Sequence, residues 1–119
     1  MSESPSKPVP PRRNKRASRR HCPKGSTKAQ ATRNALGLGR NIAVRVLDIS
    51  ETGVRLLVKE ELPVKREFEV TLESAASRPV KVVAEVIWSV ATADGHFCVG
   101  ARFQKPLSYA ALQGLARSL

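Results

Sequence analysis

Residues 42–58, Ile-Ala-Val-Arg-Val-Leu-Asp-Ile-Ser-Glu-Thr-Gly-Val-Arg-Leu-Leu-Val, set two apolar runs on either side of Asp48-x-Ser50-x-x-Gly53. Both runs are dense in β-branched residues and leucine, the composition of buried strands. A tight hairpin between them would need only Asn-Gly or Asp-Gly. This junction instead spaces a carboxylate, a hydroxyl and a glycine over six positions. Asp48 and Ser50 are two apart, so on an extended chain they point to the same side. Gly53 supplies either a positive φ or room for close backbone approach where the chain reverses. A turn whose side chains bond only local amides would have the same sequence, so the junction alone assigns no function.

A chain of 119 residues is long enough for one core and too short for two, which predicts a single domain. It has no apolar run long enough to span a bilayer and no apolar signal core near its start. A soluble, cytoplasmic protein without membrane insertion is expected. Cys22 and Cys98 do not make a disulfide framework, in keeping with a reducing compartment. The net charge of +11 is informative once divided by position. Residues 1–40 carry eleven basic side chains against Glu3 alone, while residues 41–119 carry ten basic and nine acidic ones. A nearly neutral body bears a cationic N-terminal arm, and the arm predicts an anionic partner.

Residues 1–11 have the proline, serine and lysine composition of a disordered tail. Residues 12–20, Arg-Arg-Asn-Lys-Arg-Ala-Ser-Arg-Arg, hold six basic side chains in nine positions with almost no apolar surface. Fixing such a segment costs about 1–2 kcal/mol per backbone residue with nothing to offset it, so it is expected to be mobile until an anion orders it. A stretch of this kind can serve as a solvated tail, a localisation patch or a nonspecific nucleic-acid arm. One spacing is more specific. Arg16-x-x-x-Arg20 ends immediately before His21-Cys22-Pro23, where the composition becomes that of a folded domain, and Arg12-x-x-x-Arg16 overlaps it.

An R-x-x-x-R at the entrance to a β domain, followed by D-x-S-x-x-G at a strand junction, resembles the PilZ family of bacterial cyclic di-GMP receptors. The later segments resemble it in order as well: Glu67 to Glu73, Val80 to Val90 with Trp88, then Val99-Gly100-Ala101-Arg102-Phe103. The resemblance covers residues 12–107. It implies a mainly β fold, a six-stranded antiparallel split β-barrel with a short C-terminal helix and a flexible basic N-terminal arm. On that scheme the chain divides into a disordered tail (1–11) and one domain (12–119), made of the arginine-rich arm (12–22), the barrel (23–106) and the helix (107–119). The arm folds back over the barrel and closes on ligand held by the D-x-S-x-x-G turn, with Arg16 and Arg20 on phosphate and guanine, and Asp48 and Ser50 on a guanine. Gly53 serves the turn. The density of arginine leaves the register open between Arg16/Arg20 and Arg12/Arg16, with Arg19 a further candidate.

The chemistry of these residue types fits such a ligand. Arginine offers a planar fork of donors that matches phosphate oxygens and the guanine O6/N7 edge, and it stacks on bases. A carboxylate accepts from guanine N1–H and N2–H, which arginine cannot do, and a serine hydroxyl adds one more bond. Arg20 and Asp48 lie 28 positions apart, more than one strand and its turn require, and the surplus falls in Leu36-Gly37-Leu38-Gly39-Arg40. That G-x-G follows no convincing strand and opens no helix, so it is not read as a phosphate loop.

The rest of the chain reads as barrel. Phe68, Val70 and Leu72 alternate with Glu69, Thr71 and Glu73, the pattern of a half-buried antiparallel strand. After Pro79, strict alternation puts Val80, Val82, Ala84, Val86, Trp88 and Val90 on one inward face. Ala93-Asp94-Gly95 reads as a hairpin turn, followed by inward Phe97, Val99, Ala101 and Phe103. Ser108 can cap a helix running to Leu119 with Leu112, Leu115 and Leu119 in the core. Trp88 and Tyr109 read as packing residues. His21-Cys22 and His96-x-Cys98 lack metal-site spacing, no nucleophile and base arrangement is evident, and the aromatics lack the spacing of an RNA-binding sheet. The expected function is therefore non-enzymatic, without metal or cofactor: a ligand-gated adaptor that binds cyclic di-GMP and docks to an unidentified protein partner. The alternative is a small β-barrel binding RNA or DNA through its cationic arm.

Overall fold

The computed structural model of the chain describes residues 19–117. Arg12, Arg16 and the tail lie outside the described residues. The elements run β1 (Lys28–Ala31), β2 (Ala43–Ile49), β3 (Gly53–Val58), β4 (Glu67–Ser74), β5 (Ser77–Ala91), β6 (Phe97–Phe103) and α1 (Tyr109–Leu115). Neighbouring strands are antiparallel in the order β1-β4-β5-β6-β3-β2, forming a mainly β, six-stranded, nearly closed barrel with one short C-terminal helix. No helix among the described residues is long and apolar enough to cross a membrane.

Alternation builds the core. Val54, Leu56 and Val58 of β3, Phe68, Val70 and Leu72 of β4, and Val99, Ala101 and Phe103 of β6 all face inward and are buried. Each such large side chain contributes about 1.5–3 kcal/mol on burial. β1 carries no such signal, since Lys-Ala-Gln-Ala has no β-branched residue. It is a strand because β4 offers it a free edge, pairing Lys28 with Glu73 through Ala31 with Val70.

Closure between β1 and β2 needs a substitute for a ladder. The Ile42 amide donates to the Ala31 carbonyl at 2.8 Å. The Asn41 side-chain oxygen accepts from the amides of Ala31 at 2.8 Å and Ala43 at 3.0 Å, so one carboxamide staples the two edge strands. The connection from residue 32 to 42 absorbs the surplus length noted above. Gly37 (φ 72) and Gly39 (φ 108) take left-handed backbone there, and the Asn34 side chain bonds Leu36 and Leu38 of the same arch.

Helix α1 starts on Ser108, whose hydroxyl accepts from the Ala111 amide, and buries Leu112 and Leu115. It ends at Leu115 rather than running to Leu119, because Ala116 is extended and pairs with Pro23. Leu119 lies outside the described residues. Tyr109 is exposed at the first turn instead of packed. The chain entering the barrel is held by the chain leaving it: Lys24 N–H donates to Leu115 O, Arg117 N–H to Cys22 O, and Thr27 Oγ–H to Leu115 O.

Asn41→Ala leaves two strand-edge amides without their acceptor and should lower the unfolding free energy by about 1–2 kcal/mol, with Asn41→Asp retaining most of the stability. Urea denaturation followed by circular dichroism measures both.

Candidate ligand-binding site

The site is made by two residues that break the period of their strands. In β2, Val46 pairs with Leu56 and Ile49 with Val54, all facing the core, while the register shifts between Val46 and Asp48. Leu47 is the extra residue. It turns Asp48 onto the outer face opposite Arg55, which strict alternation from Val46 would have forbidden. In β5, Val86 faces Ala101 inside the barrel, and the register shifts again before Trp88 pairs with Gly100. Ile87 is the extra residue there, so Trp88 and Val90 lie on the outer face. The sequence expectation that they share the inward face with Val86 is corrected by this bulge.

The result is a row across four strands: Asp48 on β2, Arg55 on β3, Gly100 on β6 and Trp88 on β5. Gly100 is required at its place. A Cβ there would run into the indole ring of Trp88, so the absence of a side chain lets the ring lie against the strand. Asp48 is close to buried, its side chain 12% exposed, and is held by two arginines. Arg55 donates to Oδ2 through both Nε and Nη2 at 2.6 Å, and Arg20 donates to Oδ1 from Nη1 at 3.2 Å. The hydrogen bond to Asp48 raises the Arg55 pKa above its ordinary value, with burial opposing it and the Asp48 and Cys98 charges adding to it.

Arg20 is placed by the residue after it. The His21 amide donates to Ile49 O at 2.8 Å and the Ile49 amide to His21 O at 3.0 Å, so the end of the arginine segment is pinned beside Asp48. His21, near the end of the arm expected over residues 12–22, is thus bonded to the barrel. Arg20 itself stays 60% exposed. Arg19 is exposed, and the structure gives it no contact with this row.

Ser50 and Gly53 behave differently from Asp48. Ser50 Oγ accepts from the amides of Gly53 at 3.0 Å and Thr52 at 3.2 Å, and the Ser50 amide donates to Gly53 O at 2.8 Å. Those are the local bonds of a serine turn, as the simpler reading of the motif expects. Gly53 does not take a positive φ. Its requirement is close approach, because a Cβ would stand 2.5 Å from the Ala101 carbonyl oxygen. The turn is fixed from outside by Phe103 N–H to Thr52 O and Leu107 N–H to Glu51 O, both at 2.8 Å.

A cavity of about 300 Å³ opens on this face, lined among others by Arg20, Ser50, Gly53, Trp88, Gly100 and Arg102. Sequence reasoning missed Trp88 and Arg102, and no count of alternating positions could have found Trp88. The glycine opposite a tryptophan on the neighbouring strand was the available signal. Among the described residues no group of three or more potential metal ligands gathers.

This face of the barrel combines a cation, a carboxylate and a flat aromatic beside a D-x-S-x-x-G turn. The model of the PilZ domain matches residues 12–119, and the chain belongs to that family. Membership implies cyclic di-GMP binding in general terms. Comparison with curated proteins and with solved structures returned no match.

Removing either arginine from Asp48 should have unequal effects. Arg55→Ala leaves a nearly buried carboxylate with one exposed partner and should cost about 1–3 kcal/mol of stability, whereas Arg20→Ala should cost less than about 1 kcal/mol. Denaturant midpoints at one pH compare them directly.

Proposed function

We propose that this chain is a cyclic di-GMP receptor acting as a ligand-gated adaptor toward a protein partner. The observation that carries the reading is the row from Asp48 to Trp88, with Arg20 beside it and an open cavity lined by Arg20, Ser50 and Trp88. A guanine laid on the Trp88 indole presents its N1–H and N2–H along its edge, and Asp48 is the acceptor for them. Stacking of this kind is worth about 1–3 kcal/mol per base.

Arg20 has two roles in sequence. In one it neutralises Asp48 from the solvent side. When guanine donors take over Oδ1, Arg20 is released to the ligand's phosphate or to guanine O6/N7, while Arg55 keeps its grip on Oδ2 and fixes the carboxylate. Arg16, with Arg12 the alternative, closes over the second phosphate and base. Ser50 turns its hydroxyl hydrogen from Gly53 O, 3.3 Å away, to the ligand while its oxygen continues to organise the turn. The closed arm and the rim around Asp48 form the surface offered to the partner.

Calorimetric titration should give binding of cyclic di-GMP in preference to cyclic di-AMP. Adenine has a donor at the position of O6 and lacks N1–H and N2–H, a mismatch costing about 1–3 kcal/mol per contact. Equal affinity for the two ligands would refute the role of Asp48. Arg20→Ala and Asp48→Ala should each weaken binding at least about tenfold, equivalent to about 1.4 kcal/mol. Trp88 is the only tryptophan in the chain, so its fluorescence should change on titration and report the site itself. Unchanged emission at saturating ligand would remove the stacking contact. Amide exchange over residues 14–19 should slow when ligand is added. Equal rates with and without it would reject closure of the arm.

A further inference from the structure

The cations around the cavity are not equally committed. Arg20 is bonded to Asp48, and Arg55 behind it is bonded to the same carboxylate. Arg102 lines the cavity from β6, and its side chain has no ion pair or hydrogen bond with any described residue. It faces outward because its neighbours Ala101 and Phe103 face the core. Glu85 stands opposite it on β5 on the same face, yet the two do not pair. An exposed guanidinium beside a carboxylate normally gains little from pairing with it. The side chain is therefore available without breaking any bond.

Its other cross-strand partner is Gly53. The close approach of Gly53 to Ala101 leaves bare backbone where a side chain would otherwise shield Arg102 from the cavity. Trp88 lies against Gly100, two residues away along the same strand, which is about 7 Å at strand rise. A base stacked on the indole has its sugar and phosphate beyond its rim, where a cation at that spacing can meet them.

We infer that Arg102 is a phosphate-binding residue of this site, contributed by the barrel wall and outside both the R-x-x-x-R and the D-x-S-x-x-G segments. The inference rests on the reading of the site as a cyclic di-GMP receptor and names a further contact within it. It makes the ligand bridge two separate sources of positive charge: the arm, through Arg20, and the sheet, through Arg102.

The test is calorimetric titration of cyclic di-GMP into the full chain and into Arg102→Ala, Arg102→Lys and Arg102→Glu, with thermal unfolding of each. Arg102→Ala should bind about tenfold more weakly and Arg102→Glu more weakly still, with unfolding unchanged because the residue is exposed and unpaired. Arg102→Lys should stay within about threefold of the unsubstituted chain, since lysine serves phosphate as a point charge but cannot reproduce a bidentate contact to a base. Arg102→Ala binding within about twofold of the unsubstituted chain overturns the inference while leaving the receptor reading intact. Arg102→Lys as weak as Arg102→Ala overturns the assignment to phosphate. Absence of binding by the unsubstituted chain overturns the receptor reading itself, and the inference with it.

Discussion

A strand keeps one set of side chains inward only while its two-residue period is unbroken, and the outer face of this barrel depends on breaking that period. Leu47 and Ile87 are each one residue too many for their ladders. Each insertion leaves the core residues before and after it in register with the interior and rotates one side chain to the outer face: Asp48 in one case, Trp88 in the other. The barrel thereby acquires a polar acceptor and an aromatic plane facing the same way at the two ends of a four-strand row, while Val46, Ile49 and Val86 stay buried. The two glycines follow from this arrangement. Gly100 makes room for the turned indole, and Gly53 lets the turn after Asp48 press against β6.

The electrostatics are built on the same geometry. A carboxylate as buried as Asp48 is costly unless it is paired and hydrogen-bonded. Arg55 meets most of that cost through two bonds from a neighbouring strand, a rigid source, while Arg20 meets the remainder from an exposed segment. The partner on the sheet fixes the orientation of the carboxylate, while the partner on the segment stays open to solvent. Ser50 has spent its acceptor capacity on the turn, which braces the loop beside the carboxylate.

Much of this was legible in the sequence. The strands from Phe68, Val80 and Phe97, the junction at residues 48–53 and the capping of the helix by Ser108 all carry local signals of period or turn chemistry, and the structure has them. The sequence also located Arg20 and Asp48, which prove to be bonded across 28 positions. The side to which Trp88 turns was not legible, because a bulge leaves no mark in a run of apolar residues such as Val86-Ile87-Trp88. β1 was equally silent, since its strand conformation comes from the free edge of β4 and the Asn41 staple rather than from Lys-Ala-Gln-Ala. The helix end was misplaced because Ala116 is a good helix former that tertiary pairing with Pro23 overrides. The positive φ admitted for Gly53 was one of two reasons to need a glycine, and crowding by Ala101 was the one that applied.

The pairing of Pro23 with Ala116 has an architectural meaning. The chain arrives at the barrel and departs from it at one place, bonded side by side through Cys22, Lys24, Leu115 and Arg117. A module with adjacent entry and exit can be grafted into a loop of another protein without stretching its host, as domain insertion requires. The same junction lies three residues from Arg20, so the incoming and outgoing connections share one mechanical anchor.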